Sequence, residues 1–262
     1  MSSKPKLGQN FLHDAHAIDR IVAALGNCAE RTVVEIGPGK GALTRLLAQR
    51  VRHVIAIELD NDLAPALRAQ FPADRVAVVH QDVLGFDFAS ASASAGERLA
   101  VVGNLPYYIT SPILLKLAAS AASLDRAVLM MQREVADRVV AAPGSRDYGV
   151  LSVSVQMYGP VEKLFTLPPG AFSPPPEVHS SVIRWPFAPR FTELNVDEVR
   201  FLAFVRQAFA QKRKTLANNL RAAGFSTPQI EAALSRSGVP SRARAEELTL
   251  EAFATLWNTL IC

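Results

Sequence analysis

The chain has 262 residues, 49% of them hydrophobic and 20% charged, which suits one large domain with a smaller second one and a core that needs no disulfides. Its net charge of +4 permits a polyanionic partner without requiring one. No apolar run reaches the roughly 18 residues of a membrane span. The start, Met1 to Leu12 with Lys4 and Lys6, lacks the apolar run and cleavage site of a secretory signal, and Cys28 and Cys262 show no metal-ligand spacing. No membrane partner and no metal are therefore expected, and both cysteines read as reduced thiols of a cytoplasmic protein.

Thr32 to Ile36 is an apolar, β-branched run that breaks at Gly37-Pro38-Gly39 and predicts a strand. Ala42 to Arg50 follows with Leu43, Leu46 and Leu47 on one helical face. His53 to Leu59 predicts a second strand ending in Glu58 and Asp60. Asp62 to Phe71 predicts a helix, with Pro65 tolerable in its first turn, and Arg75 to His80 a third strand ending at Asp82. The small-residue stretch Ser90 to Gly96 reads as a surface loop. A fourth strand, Leu99 to Gly103, leads into Asn104-Leu105-Pro106-Tyr107, and Ala127 to Met131 predicts a fifth. Pro174-Pro175-Pro176 is a stiff extended segment. Trp185 to Asn195, with Pro186 and Pro189, marks a domain junction, beyond which Val196 to Gly224, Thr227 to Ser237 and Glu246 to Leu260 predict helices. Alternating strands and helices imply an α/β fold, a parallel sheet with helices on both faces, followed by a small all-helical domain. The expected boundaries are residues 1–188 and 189–262.

The turn Glu35-Ile36-Gly37-Pro38-Gly39-Lys40-Gly41 joins a strand to a helix, and glycines there let backbone amides approach a ligand. Alone it is equally a tight turn of any α/β protein, and its spacing departs from the dinucleotide fingerprint. Glu58 ends the second strand about twenty residues on, where a carboxylate can accept ribose hydroxyls, and Asp82 ends the third, where one can accept from an adenine amine. Either acid by itself is also an ordinary helix cap. Three elements at successive strand ends favour a nucleoside.

Asn104-Leu105-Pro106-Tyr107 closes the fourth strand beside that site. An exocyclic adenine amine is a poor nucleophile because its lone pair is delocalised into the ring. The Asn104 side-chain oxygen and the Leu105 carbonyl can each take one of its N–H bonds, Pro106 stiffens the turn, and Tyr107 offers a stacking face. Phe172, ahead of the proline run, is either a second aromatic face over a base or a core phenylalanine. Among the basic residues of the carboxy-terminal half, Arg206, Lys212, Arg213, Lys214 and Arg221 fall in a stretch without acidic residues and are the expected nucleic-acid contacts. Arg213 falls near the apolar stripe of its helix, so either the helix breaks there or Arg213 lies at an interface.

Taken together, these motifs resemble the KsgA/RsmA-type ribosomal RNA adenine dimethyltransferases over nearly the whole chain. Gln9-Asn10-Phe11-Leu12 is similar to the family's segment over the cofactor, with Asn10 and Leu12 at its contact positions. Glu35 through Thr44 resembles the first methyltransferase motif, with Gly37 and Gly39 at the cofactor. Glu58, Asp82 and Asn104 fall at further cofactor positions, and Phe172 to Pro176, with Val178 and Ser180, resembles the proline-rich loop. The resemblance implies a Rossmann-like, S-adenosylmethionine-dependent fold with Asn104, Leu105, Pro106, Tyr107 and Phe172 at the reacting amine. It implies dimethylation of two adjacent adenosines in a hairpin loop near the 3′ end of 16S rRNA, within the small ribosomal subunit or its precursor, late in assembly. The sequence is silent on oligomeric state, and a monomer is the expectation. Tyr108 stands where some relatives carry a small polar residue and receives no role. The rival readings are a large-subunit rRNA adenine methyltransferase and a non-catalytic nucleic-acid-binding protein of the same fold; a nicotinamide dehydrogenase is a distant third, for want of a catalytic acid.

Overall fold

The computed structural model describes residues 9–261, so the expectations for Lys4, Lys6 and Cys262 lie outside the described residues. A two-residue strand β1 (Phe11–Leu12) precedes helix α1 (Ala15–Ala24), whose cap Asp14 accepts the Ala17 N–H at 2.9 Å. Next come β2 (Thr32–Ile36), α2 (Ala42–Arg50), β3 (His53–Glu58), α3 (Leu63–Gln70) and β4 (Val76–His80). Then follow α4 (Phe88–Ala95), β5 (Leu99–Asn104), α5 (Thr110–Ala119), β6 (Leu124–Gln132), α6 (Arg133–Val139) and α7 (Val150–Gln156). Strands β7 (Glu162–Leu167), β8 (Phe172–Ser173) and β9 (Ser180–Pro186) lead to α8 (Glu198–Ala208), α9 (Leu216–Ala222), α10 (Thr227–Arg236) and α11 (Leu250–Ile261).

Seven strands form one sheet in the order β4-β3-β2-β5-β6-β9-β7. Strands β2 to β6 pair in parallel, while β9 runs antiparallel between β6 and β7. The sheet is therefore mixed, where the sequence predicted a parallel one. The chain builds outward from β2 through β3 to β4, then crosses back to place β5 on the other side of β2. That reversal opens a crevice at the carboxyl ends of β2 and β5, the switch point where open α/β sheets bind ligands.

Burial follows the pleat. Val33, Val54, Ala56, Ala100, Val102, Val128 and Met130 join one core with Ile21 and Leu25 around α1 and Leu43 and Leu47 of α2. Their neighbours Val34, Ile36, Ile57, Val101, Leu129 and Met131 are also buried, so the sheet is covered on both faces.

Gly103 pairs with Ile36 across β2 and β5, and a Cβ added to it would lie 2.6 Å from the Ile36 carbonyl oxygen and 3.1 Å from the Ile36 Cβ. Both are parts of a fully buried strand that cannot swing away. Gly103→Ala should therefore destabilise the protein by roughly 2–3 kcal/mol through overpacking. The check is a thermal melt, in which the midpoint should fall by roughly 5–10 °C; an unchanged midpoint would show that the two strands can separate at no cost.

The chain divides into two compact units: the described residues up to Ala136 together with Val161–Phe187, and Asp137–Pro160 together with the residues from Ala188 onward. The change at Ala188 lies next to the expected boundary, but residues 137–160 join the second unit instead of the first. Tyr148, from that insertion, packs edge-on against Phe209, which stacks in turn on Phe253 at 5.7 Å. An aromatic group of Phe201, Phe204, Phe253 and Trp257 forms the core of this helical unit.

Three local expectations are corrected. Ser90 to Gly96 is not a loop but most of α4: Asp87 accepts the N–H groups of Ala89 and Ser90, Phe88 is buried, and left-handed Gly96 ends the helix. Trp185 is fully buried in β9 rather than part of a linker. Val196 to Gly224 is two helices, not one. The buried Asn219 side chain donates to the carbonyls of Ala208 (2.7 Å) and Gln211 (3.2 Å), satisfying the end of α8, while Thr215 caps α9. The helix therefore breaks around Arg213, one of the two outcomes its place in the apolar stripe allowed.

Candidate active site

The crevice at the switch point is lined by the turn after β2, the ends of β3 and β4, the Asn104–Ile109 segment and residues 9–12. The glycine turn is shaped by its backbone. Gly37, Gly39 and Gly41 all have positive φ, at 65°, 59° and 80°, a region that side chains disfavour. At Gly39 there is a second reason: a Cβ would lie 2.9 Å from the Phe11 ring, which covers the turn. The Lys40 ammonium stands 4.6 Å from the centre of that ring, a cation–π contact.

Glu58, 5% exposed, accepts the Gly39 N–H at 3.0 Å with one carboxylate oxygen and the Asp60 N–H at 2.9 Å with the other. Its carboxylate thus braces the glycine turn while facing the crevice. Asp82 caps the short turn Val83–Gly85 by accepting the Leu84 N–H at 2.9 Å through Oδ1. The capping alternative for Asp82 is thus present in the structure, and Asp82 also lines the crevice.

Beneath the turn, Glu35 is 1% exposed and accepts the Thr44 hydroxyl at 2.6 Å. Burial pushes its carboxyl up to about 7; the Thr44 hydrogen bonds oppose the shift and the nearby Glu58 charge adds to it. The folded state therefore holds the Glu35 proton more tightly than the unfolded chain. Its contribution to stability is fully present below the ordinary value of 4.5 and is lost as pH rises through about 7. A shift of this size corresponds to about 3 kcal/mol. In Glu35→Gln, which keeps an acceptor for Thr44, stability should lose this decline. The check is the wild-type minus variant difference in unfolding free energy between pH 4.5 and 7; a difference that stays flat with pH would contradict the assignment.

At the end of β5 the Asn104 amide donates through Nδ2 to the Asn10 carbonyl at 3.0 Å. Flipping the amide would set two oxygens against each other, so this bond fixes its orientation. Oδ1 is buried and has no hydrogen-bond partner among the described residues, a costly state for an amide oxygen unless a donor from a ligand meets it. Leu105 N–H bonds to the Met130 carbonyl at 2.8 Å, tying the following peptides to β6. The Pro106 carbonyl accepts the Thr110 hydroxyl at 3.0 Å. Tyr107 is half-buried with its hydroxyl 2.7 Å from the Ser180 hydroxyl on β9, and burial raises its pKa.

The structure brings Asn10, Leu12, Gly37, Gly39, Glu58, Asp82, Asn104, Leu105, Pro106 and Tyr107 to one crevice. Phe172 is the exception. Its ring is 2% exposed and packs in the core with Ala17, Ile21 and Ala171. Strands β1 and β8 pair there, Leu12 opposite Phe172, so the ring is spent on anchoring residues 11 and 12 rather than on covering a base. Phe11 and Glu35 at the crevice, and Ser180 behind Tyr107, lie in motifs the sequence named without giving these residues a role of their own. Phe11 and Ser180 act through contacts distant in sequence, and the pairing of Glu35 with Thr44 is apparent only once burial is known.

In the helical unit Arg206, Lys212, Arg213, Lys214 and Arg221 are all exposed. Lys212, Arg213 and Lys214 lie on the turn between α8 and α9. Leu216 N–H bonds to the Ala243 carbonyl at 2.8 Å, Lys212 Nζ donates to the Arg146 carbonyl at 3.1 Å, and Gly144 N–H to the Glu246 carbonyl at 2.7 Å. These bonds gather segments carrying Arg146 and Arg242, both exposed, around the same turn. Arg244 instead pairs with Glu246 at 3.8 Å, and Arg221 is engaged by Asn218 at 2.8 Å.

A nucleoside bound along Glu58 and an amine held at Asn104 would meet at the switch point, the working geometry of a Rossmann-like methyltransferase acting on an amine. Comparison with known proteins agrees. Residues 1–261 match the family model described as ribosomal RNA adenine dimethylase. Curated relatives include "Ribosomal RNA small subunit methyltransferase A" of Acidobacterium capsulatum, 61% identical over 98% of this chain and 91% of the relative. The protein of that name from Geobacillus thermodenitrificans is 43% identical over 99% and 92%. Among solved structures, the 23S rRNA methyltransferase ErmE superposes with a TM-score of 0.73 at 27% identity, covering 97% of this chain and 100% of ErmE. A dimethyladenosine transferase from Plasmodium falciparum, at a TM-score of 0.77 and 22% identity over 94% and 95%, shares the fold. The chain belongs to the ribosomal RNA adenine dimethylase family and is an rRNA adenine methyltransferase.

Proposed function

We propose that this enzyme uses S-adenosylmethionine to dimethylate the N6 amines of two adjacent adenosines in a hairpin loop near the 3′ end of 16S rRNA. It acts as a cytoplasmic monomer on the small subunit or its precursor, late in assembly. The single observation that carries the chemistry is the buried Oδ1 of Asn104 at the end of β5, which no described residue engages. An amide oxygen oriented by its own Nδ2 and left without a donor fits an incoming N–H. The small-subunit assignment is supported by the 61% and 43% identical relatives, against the 27% identity to the 23S enzyme.

The residues present fit the cofactor. Glu58 would accept ribose hydroxyls, Asp82 an adenine amine through its second oxygen, and the Gly37–Gly39 backbone leaves room for close approach, with Asn10 and Leu12 closing the near side. S-adenosylmethionine supplies an electrophilic methyl on a sulfonium. The protein's part is alignment. Asn104 Oδ1 and the Leu105 carbonyl hold the two N–H bonds of the adenine amine, turning its lone pair toward the methyl. Tyr107, held by Ser180, supports the base. The amine nitrogen would take the methyl that the bound cofactor supplies and give up its proton to solvent after the methyl arrives, so no side chain is needed as a general base. Exposed cations on the α8–α9 turn (Lys212, Arg213 and Lys214), with Arg206 and Arg221, would meet phosphates. A loop substrate suits the crevice, because unpaired bases are cheaper to extrude than paired ones.

The test is transfer of labelled methyl groups to small subunits lacking the modification, with the nucleosides identified by mass. N6,N6-dimethyladenosine at two adjacent loop positions is expected. Methylation of large-subunit RNA instead, or RNA binding with no transfer, would favour the rival readings.

A further inference from the structure

Tyr108 sits on the short turn Tyr107–Ile109 after β5 and lines the crevice, yet it is 59% exposed. Its neighbour Tyr107 is half-buried and tied to Ser180, whereas Tyr108 has no hydrogen-bond or ring partner among the described residues. Aromatic residues ordinarily bury the ring and give a polar tip a partner. Among the described residues the crevice has one other large exposed apolar side chain, Leu59, which follows Glu58 at the end of β3. Strand order places β3 and β5 on opposite sides of β2, so Leu59 belongs to the cofactor wall and Tyr108 to the amine wall.

We infer that Tyr108 is a stacking platform for the nucleotide next to the target adenosine, an inference that rests on the function proposed above. Turning one base into the crevice strips its neighbour of a stacking partner and leaves an apolar face in water. An aromatic ring at the mouth, one residue past the turn that grips the target, is in place to cover that face. The ring is held in advance: Pro106 fixes the start of the turn, and the Tyr107 hydroxyl and the Thr110 hydroxyl anchor it on both sides. Stacking on a π-face tolerates any base identity, so Tyr108 contributes affinity and register rather than sequence discrimination.

The experiment compares wild type with Tyr108→Phe, Tyr108→Leu and Tyr108→Ala, using unmethylated small subunits for steady-state transfer. A synthetic RNA hairpin with two adjacent loop adenosines serves for binding. Tyr108→Phe should stay within about two-fold of wild type, while the Leu and Ala variants should raise KM about ten-fold with kcat nearly unchanged and cofactor affinity intact. Replacing the flanking nucleoside of the hairpin by an abasic residue should abolish the binding difference between wild type and Tyr108→Ala, a coupling that a merely structural role would not produce. A Leu variant equal to Phe, an Ala variant equal to wild type, or a difference that persists with the abasic hairpin would overturn the inference. A wild-type protein that binds the hairpin with this coupling but transfers no methyl would sink the proposed function alone; one that neither binds nor transfers overturns both.

Discussion

Asn104→Ala is expected to lower methyl transfer by about 10²–10³-fold while cofactor affinity stays within a few-fold of wild type. The lost atom is Oδ1, the buried acceptor that no described residue engages, so the substrate amine loses one of the two groups that hold it. The same substitution removes the Nδ2 bond to the Asn10 carbonyl and loosens residues 9–12 at one point. The β1–β8 pairing and the burial of Leu12 still hold that segment, which is why cofactor binding should survive. Asn104→Asp separates the two roles. It keeps an acceptor for the amine but sets an oxygen against the Asn10 carbonyl, so its transfer rate should fall between wild type and alanine. Single-turnover transfer and calorimetric cofactor binding, measured on the same preparations, make the test. A parallel collapse of affinity and rate would assign Asn104 to the cofactor alone.

Glu58→Ala should act the other way, weakening cofactor binding about 100-fold. Two hydroxyl hydrogen bonds to a carboxylate at roughly 1.5 kcal/mol each account for that factor. The carboxylate also accepts the Gly39 and Asp60 N–H groups, so the glycine turn loses its brace with the ligand contact. Glu58→Gln keeps the volume and one acceptor and should cost about ten-fold, being neutral where the wild type is charged. Calorimetry with S-adenosylmethionine is the measurement, with a thermal melt as the control for folding. Affinity unchanged in the alanine variant would remove Glu58 from the ligand site and leave it as a structural brace of the turn.

Much of the methyltransferase layer was legible because its signals are local. Thr32–Ile36 and Ala42–Arg50 fall within the bounds their patterns predicted, since a β-branched run ending at glycine and a leucine face at helical spacing leave little choice. Element ends mattered most for the site, because Glu58, Asp82 and Asn104 are recognisable by following strands. Local reading failed where a partner far along the chain decides. Asn219 ends α8 from eleven residues away, so the place of Arg213 in the apolar stripe left the break as only one of two outcomes. Strand β9 exists because β6 and β7 flank it, and Ser180–Pro186 was legible only as part of a proline-rich loop and a linker.

The sequence by itself determined the chemistry on offer: a glycine turn, two carboxylates at strand ends, an Asn-Leu-Pro-Tyr turn and a run of cations, each defined by residue type and spacing. Only the tertiary structure decided what each one faces. It sent Phe172 into the core, left Tyr108 exposed at the mouth, oriented the Asn104 amide against Asn10 and buried Glu35 deep enough to hold a proton near neutrality. The reason is physical. Spacing places a side chain on an element, but exposure, hydrogen-bond orientation and pKa depend on which distant segments pack around it, and those contacts exist only once the sheet has closed.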